Sequence, residues 1–354
     1  MAYDHAARRA RLAARYPSEG VDALLVTRPV NVRYLTGLIS SNAAALVRAD
    51  GSVTLATDSR YVETAARVCG GDGGVEVIEE RDVIAALAGL MPHDRLGFES
   101  HHLPVAEYLR LGGAMVPLGL LVETVRMVKE EPEIAALRVA CDITDRTFAA
   151  ILPALRPGVT EREIAHALER LMVEYGAEKP AFDSIVASGP NGSIPHHVPS
   201  DRPIERGDLV TLDFGARYDG YHADMTRTVA IGEPASWQRD LYDLVRRAQR
   251  AGRHAVRPGA EVQEVDLTAR GLIAEAGHAD HFEHGLGHGV GLDIHELPFL
   301  GPSRAGRLED RVPITVEPGV YLPGRGGVRI EDTLVTTDDG PELLTRTTKE
   351  LLVL

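Results

Sequence analysis

The chain has 354 residues, 44% of them hydrophobic and 25% charged, the profile of an ordinary globular protein with room for two cored domains. A net charge of −14 argues against a nucleic-acid or acidic-membrane partner, since both attract basic faces. Two cysteines far apart, Cys69 and Cys141, exclude a disulfide framework and a thiolate zinc site, so a reducing cytoplasm is the expected compartment.

The N-terminal "MAYDHAARRARLAARYPSEG" is polar and Arg-rich and lacks the apolar core of a signal peptide. From there to residue 124 the chain alternates strand-like and helix-like segments. "VDALLVT" predicts a buried strand, and "AAALVRADGSVTLAT" predicts a hairpin around Asp50-Gly51. "YVETAARVC" and "DVIAALAGL" have helical periodicity, "RLGFES" reads as a strand and "PVAEYLRLGG" as a helix. No cluster of catalytic residue types stands out in this part. Its expected role is to cover or shape a site built elsewhere, or to make subunit contacts.

Near "LVETVRMVKEEPE" the pattern turns to longer helices, which sets the domains at 1–124 and 125–354. "LRPGVTEREIAHALERLMVEYG" (155–176) aligns without a gap to "VRPGAEVQEVDLTARGLIAEAG" (256–277), at an offset of 101. Thr160 and Glu163 predict a capping box in the first copy. A period this long is no solenoid repeat; it predicts a duplicated helix-helix-strand unit about a pseudo-two-fold axis.

Further along, "TLDFGARYDGYHADMTRTVAI" reads as two strands around a turn at 218–220. A loop at 218–219 sets Asp213 opposite Asp224, and a loop at 219–220 sets them diagonally. Either register puts both carboxylates on one face, roughly 4.5–8 Å apart at Cβ, where they repel unless a cation lies between them. "LGHGVGLDIHELP" (286–298) is no dinucleotide or phosphate loop, because its glycines alternate strictly and no Lys-Ser/Thr follows. Alternating glycines clear one strand face for a ligand or a second backbone. Glu317 and Glu331 sit in apolar, strand-like runs, where a carboxylate needs a partner. Asp213, Asp224, His288, Glu317 and Glu331 together make an oxygen-rich donor set suited to manganese, cobalt or iron(II). Five such side chains can hold two ions, which points to metal-assisted hydrolysis. His196, His284 and His295 stand near the set as candidate proton donors or oxyanion partners. Arg329 can hold a ligating carboxylate or receive a substrate carboxylate.

"DFGARYDGYHADMTRT", "HGLGHGVGLDIHE", "VEPGVY" and "GVRIED" resemble the pita-bread metallopeptidases: methionine aminopeptidase, aminopeptidase P, prolidase and the metal-free relative creatinase. "DALLVTRPVNVRYLTG" resembles the N-terminal domain of the creatinase, prolidase and aminopeptidase P branch. The resemblance implies an α/β chain: a ribonuclease-H-like, creatinase-type N-terminal domain and a pita-bread α+β catalytic domain with internal pseudo-two-fold duplication. It also implies a homodimer, with Asp213, Asp224, His288, Glu317 and Glu331 holding two divalent ions, manganese foremost and cobalt, iron or zinc also accepted. His196, His284, His295 and Arg329 match the family's other site residues, and His197 beside His196 leaves open which of the two faces the site. The implied activity is cleavage of the bond before proline, in a dipeptide (prolidase) ahead of a longer peptide (aminopeptidase P). A non-peptide amide hydrolase and a non-catalytic binding module are the other readings of the same fold.

Overall fold

The computed structural model describes residues 3–354, in two compact units, 1–126 and 127–354. In the first unit, short apolar runs form a mixed sheet of order β4-β3-β2-β1-β5-β6. Its strands are β1 (Ala23–Val26), β2 (Ala43–Arg48), β3 (Val53–Thr57), β4 (Val75–Glu79), β5 (Leu96–Glu99) and β6 (Val116–Leu118). The hairpin expected at Asp50-Gly51 joins β2 to β3, with Gly51 at φ +82°, a conformation open to glycine at no steric cost. The α-helices are α1 (His5–Ala13), α2 (Tyr16–Glu19), α3 (Pro29–Thr36), α4 (Val62–Cys69), α5 (Val83–Ala88), α6 (Val105–Arg110) and α7 (Leu121–Met127). Leu25, Leu46, Leu87 and Phe98 belong to this unit's own core.

The second unit is built twice. Helices α8 (Glu131–Ile151) and α9 (Glu161–Glu174) are answered by α10 (Ser236–Ala255) and α11 (Val262–Glu275). Both ends of α11 lie 101 residues beyond those of α9, the offset of the sequence repeat. The capping box predicted at Thr160 and Glu163 opens α9. Ile164, Leu168 and Met172 of α9 pack with Ile143 and Phe148 of α8 on one core; Val265, Ala269 and Ile273 of α11 pack with Leu241 and Val245 of α10 on another. Each of these side chains apart from Ala269 contributes roughly 1.5–3 kcal/mol by leaving water.

The strands of this unit are β7 (Lys179–Pro180), β8 (Ile185–Ser188), β9 (Leu209–Phe214), β10 (Ala216–Tyr218), β11 (Tyr221–His222) and β12 (Met225–Ala230) in the first half. The second half adds β13 (Gly287–Gly289), β14 (Glu296–Leu300), β15 (Pro313–Val316), β16 (Gly319–Leu322), β17 (Gly326–Arg329), β18 (Asp332–Val335) and β19 (Glu342–Leu343). They pair in the orders β12-β9-β8, β11-β10-β7, β14-β13-β15-β18-β19 and β16-β17. The two halves are sewn together where Glu331 N donates to Thr226 O (3.0 Å) and Thr333 Oγ1 to Asp224 O (2.8 Å). No helix among the described residues is long and apolar enough to cross a membrane.

Candidate metal centre

Strand alternation aims the candidate residues. Val210, Leu212 and Phe214 of β9 face the core beneath α8 and α9, so Thr211 and Asp213 face the other way. β12 pairs with β9 so that Thr226 lies opposite Asp213 and Met225 opposite Phe214. Of the two registers the sequence allowed, the loop at Asp219-Gly220 is the one adopted: both have positive φ (45° and 74°), as a two-residue hairpin turn requires. Asp224 is therefore the diagonal neighbour of Asp213 on the same face. Ile314 and Val316 of β15 enter the second core, which turns Thr315 and Glu317 outward to meet them.

Only Asp213 and His288 lie inside strands. Asp224, Glu317 and Glu331 each sit one residue beyond a strand end, a correction to the expectation that all five lie within sheet. At a strand end a side chain is freed from the ladder and can turn into a common cavity. All nine expected site residues, Asp213, Asp224, His288, Glu317, Glu331, His196, His284, His295 and Arg329, line one cavity of about 550 Å³.

Within it, single ligand atoms of Asp224, His288 and Glu331 lie within 4.8 Å of one another. His288 Nδ1 donates to Gly289 O (2.9 Å), which leaves the Nε2 lone pair facing Asp224 Oδ2 at 3.6 Å and Glu317 Oε1 at 3.4 Å. Both gaps are too long for a good hydrogen bond. Asp213 Oδ1 and Glu331 Oε1 are buried with no hydrogen-bond partner among the described residues. Burial, and then the charges of neighbouring carboxylates, push Asp224 and Glu331 well above the usual carboxylate range, and burial lifts Glu317 to about 8. Burial also depresses His288 to about 4, so its imidazole is neutral at pH 7. Orphaned oxygens, crowded carboxylates and a neutral, lone-pair-forward imidazole are the donor chemistry that hard divalent cations satisfy. The residues fit such a group.

A ring of partners that the sequence reading passed over orients this set. Thr226 Oγ1 donates to Glu331 Oε2 (2.7 Å), and Thr315 Oγ1 to Glu317 Oε1 (3.0 Å). Arg329 donates Nη2 to Asp213 Oδ2 (2.7 Å), Nε to Thr226 (3.1 Å) and Nη1 to the hydroxyl of Tyr321 (2.9 Å). That hydroxyl in turn donates to His284 Nε2 (2.8 Å), while His284 Nδ1 donates to Gly285 O. Tyr321 lies four residues after Glu317 in the quoted "VEPGVY", so a signal was there. Its reach depends on Gly319, whose added Cβ would stand 2.4 Å from the Tyr321 oxygen. His284 is thus engaged on both nitrogens, and burial lowers its pKa to about 4, leaving His196 and His295 as the cavity histidines without such bonds among the described residues.

His196 lines the cavity, and His197 turns away to bond Glu161 Oε2 at 2.8 Å. Glu161, at the start of α9, also accepts from Ser188, Asn191 and Ser200, and so ties down the loop that carries His196. On α11, Asp266 pairs with Arg270, which donates to the carbonyls of Phe282 and His284 and fixes the other histidine segment. The His295 loop is fastened by Glu296, which accepts from buried Lys129 (2.7 Å) and from Asp293 N (2.9 Å).

Of the two readings of the alternating glycines, close approach of a second backbone is the one the packing shows, while Gly285 and Gly287 also line the cavity. A Cβ at Gly285, Gly287 or Gly289 would fall within 2.4 Å of the carbonyls of Leu300, Thr315 and Leu297, so these positions are small because neighbouring backbone of the same chain presses on them.

The match to known proteins covers both units. Residues 135–338 match the model of metallopeptidase family M24, and residues 8–128 match the creatinase/prolidase N-terminal domain. The chain is 36% identical to an Xaa-Pro dipeptidase of Pyrococcus furiosus over 94% of its own length and 95% of the relative's. Its structure superposes on an Xaa-Pro dipeptidase from Bacillus anthracis with a TM-score of 0.94, at 38% identity, covering 99% and 100% of the two chains. An X-Pro aminopeptidase from Thermotoga maritima gives a TM-score of 0.86 at 35% identity, covering 98% and 99%. With both domain models matched in order and relatives aligned nearly end to end, this chain belongs to metallopeptidase family M24, with a creatinase/prolidase N-terminal domain preceding the pita-bread catalytic domain.

Proposed function

We propose that the chain is an Xaa-Pro dipeptidase that holds two divalent ions, manganese foremost, on Asp213, Asp224, His288, Glu317 and Glu331. The observation that carries the reading is the cavity's buried, donor-starved carboxylate cluster beside a neutral imidazole. When bound, the ions supply polarisation of the scissile carbonyl and activation of a water molecule. The chain's own residues do the rest. Arg329 holds Asp213 in place, and Thr226 and Thr315 orient Glu331 and Glu317. His196 and His295 face the substrate space, where an imidazole can steady a developing oxyanion or carry a proton to the prolyl nitrogen. Tyr321 and His284 brace Arg329 from behind. The names of the relatives support the dipeptide over the longer peptide as substrate.

The cytoplasmic location stays part of this proposal, supported by Cys69 and Cys141, both buried and unpaired. So does a homodimer.

Metal-stripped protein reloaded with Mn²⁺ should release alanine from Ala-Pro and much less from Ala-Pro-Ala, with Asp224→Ala as the blank. Equal or faster release from the tripeptide would make the chain an aminopeptidase; silence on both would end the Xaa-Pro reading.

A further inference from the structure

Strand β12 carries a charge on its apolar side. Met225 and Val229 enter the core beneath α8 and α9, while Thr226 and Thr228 turn the other way to bond Glu331 and Arg329. By that alternation Arg227 shares the face of Met225 and Val229, and it is only 1% exposed. A guanidinium so placed is costly unless each N–H finds an acceptor and the charge finds a partner. Here each does. Nε donates to Thr348 O (2.9 Å), Nη1 to Thr226 O (2.9 Å) and to Glu331 O, and Nη2 to Thr347 O (2.8 Å) and to Asp332 Oδ1 (2.8 Å). All five donors of the fork are engaged.

Two of those acceptors bear on one candidate ligand. Glu331 lies in the step between β17 and β18, outside both strands. Its N–H donates to Thr226 O (3.0 Å), its carboxylate accepts from Thr226 Oγ1 (2.7 Å), and its carbonyl accepts from Arg227 Nη1. Thr226 and Arg227, adjacent in the chain, therefore grip Glu331 at three points. Asp332 does not depend on Arg227 alone, since Gln249 Nε2 (2.8 Å) and Lys349 Nζ (3.0 Å) serve it too. What Arg227 adds is a rigid link from the Glu331 carbonyl to residues 347 and 348.

Resting on the metal reading above, we infer that Arg227 is a positioning residue for the cation centre. It holds the main chain of Glu331 so that the carboxylate stays aimed into the cavity, and its loss weakens divalent-ion binding through Glu331 rather than through the fold at large. Groups that orient a metal-ligating side chain are commonly worth about ten- to a hundredfold in affinity. Lysine is no equivalent, because an ammonium carries three donors on one atom and cannot span acceptors on both sides of a planar fork. Asp145 of α8 offers the comparison. It holds the same terminal segment, accepting from Arg346 N (2.8 Å) and Thr347 N (2.9 Å), and among the described residues it has no bond to Glu331.

The test titrates Mn²⁺ calorimetrically into metal-stripped unaltered protein, Arg227→Lys, Arg227→Gln and Asp145→Ala, with urea midpoints on the same preparations. The unaltered protein should take up two ions per chain. Arg227→Lys, which keeps a cation beside Asp332 and so should fold, should bind one ion at least about tenfold more weakly, and Arg227→Gln should lose more. Asp145→Ala should lower the urea midpoint yet keep both affinities within about twofold. A folded Arg227→Lys protein that binds Mn²⁺ as the unaltered one does would overturn the assignment and leave the metal reading intact. So would equal losses of affinity in Arg227→Lys and Asp145→Ala, or an Arg227→Lys protein that does not fold, since the residue would then serve the scaffold as a whole. An unaltered protein that takes up no Mn²⁺ would remove the metal reading, and the assignment with it.

Discussion

Two clusters of the same composition, two carboxylates and a histidine, lie in different units of this chain: Glu99, His101 and Glu123 in the first, and Asp224, His288 and Glu331 in the second. Each has one buried glutamate oxygen with no hydrogen-bond partner among the described residues, Glu123 Oε2 and Glu331 Oε1, but the donors to the remaining oxygens differ sharply. Glu99 accepts from the backbone of Thr27 and Arg28 (both 2.7 Å) and from Asn31 (2.6 Å), which caps the start of α3. Glu123 accepts from Asn31, Arg28 and His101 and, although burial alone would raise it, is held below the usual carboxylate range by these donors. Glu331 has one donor, Thr226, and is pushed up. A buried carboxylate supplied with N–H and O–H donors is a structural acceptor; one denied them among other carboxylates wants a cation. Residue types alone do not distinguish these cases.

The largest effect should come from breaking the second cluster. Asp224→Ala should lower kcat/KM for Ala-Pro by at least about a thousandfold, on the order of 4 kcal/mol in the barrier. Yet the metal-free variant should melt no lower than the unaltered protein, because the substitution relieves like-charge crowding. Activity and thermal melts of the same preparation check both halves of that statement. Glu99→Ala should do the reverse. It strands the N–H groups of Thr27 and Arg28 and the Asn31 amide, which costs about 3 kcal/mol and lowers the thermal midpoint by several degrees. Its folded fraction should bind Mn²⁺ as the unaltered protein does.

A sharper version of the comparison uses neighbours. His196→Ala should lower kcat/KM about a hundredfold with little change in stability, as expected for an imidazole facing substrate. His197→Ala should leave kcat/KM within about fivefold and weaken the fold slightly, since it removes one of several donors to Glu161. Rates and denaturant midpoints on both variants would expose a reversed assignment.

The smallest effect concerns pH. Donors from Ser200, Asn191 and His197 outweigh burial and hold Glu161 at about 2, against 4.5 for an ordinary glutamate. A depressed carboxylate contributes stability that is whole above its unfolded value and is lost as pH falls through its folded one. Glu161→Gln should therefore flatten the acid limb of the stability curve between about pH 4.5 and 2, at a cost near 1–2 kcal/mol at pH 7. Urea midpoints across that range would settle it; an unchanged acid limb would count against the network.

Much of the centre was readable from the chain, and for definite reasons. Asp213 and Asp224 could be paired because a hairpin's parity is fixed whichever of two loops forms. Glu317 and Glu331 stood out as carboxylates in apolar runs, and His288 as a histidine in a run of alternating glycines. The repeat located α9 and α11 because a helix pair that buries one face keeps its periodicity. What escaped notice depends on distance across strands. Thr226 and Thr315 are ordinary strand residues until the register sets them beside Glu331 and Glu317. Tyr321 needed the bare Cα of Gly319 beneath it. The glycines of 285–289 were read as clearance for a ligand or a second backbone, and only the folded chain shows that backbone of the chain itself presses on them. The Glu99 cluster went unseen because its members come from β5, the loop after it and α7, and only folding brings them to one place.

The central claim, that the cation site is the donor-starved cluster and not its donor-rich counterpart, is most directly tested by calorimetric titration of Mn²⁺ into metal-stripped protein, Asp224→Ala and His101→Ala. The account predicts two ions per chain in the unaltered protein and in His101→Ala, and the loss of tight binding in Asp224→Ala. Full binding in Asp224→Ala, or its loss in His101→Ala, would contradict it.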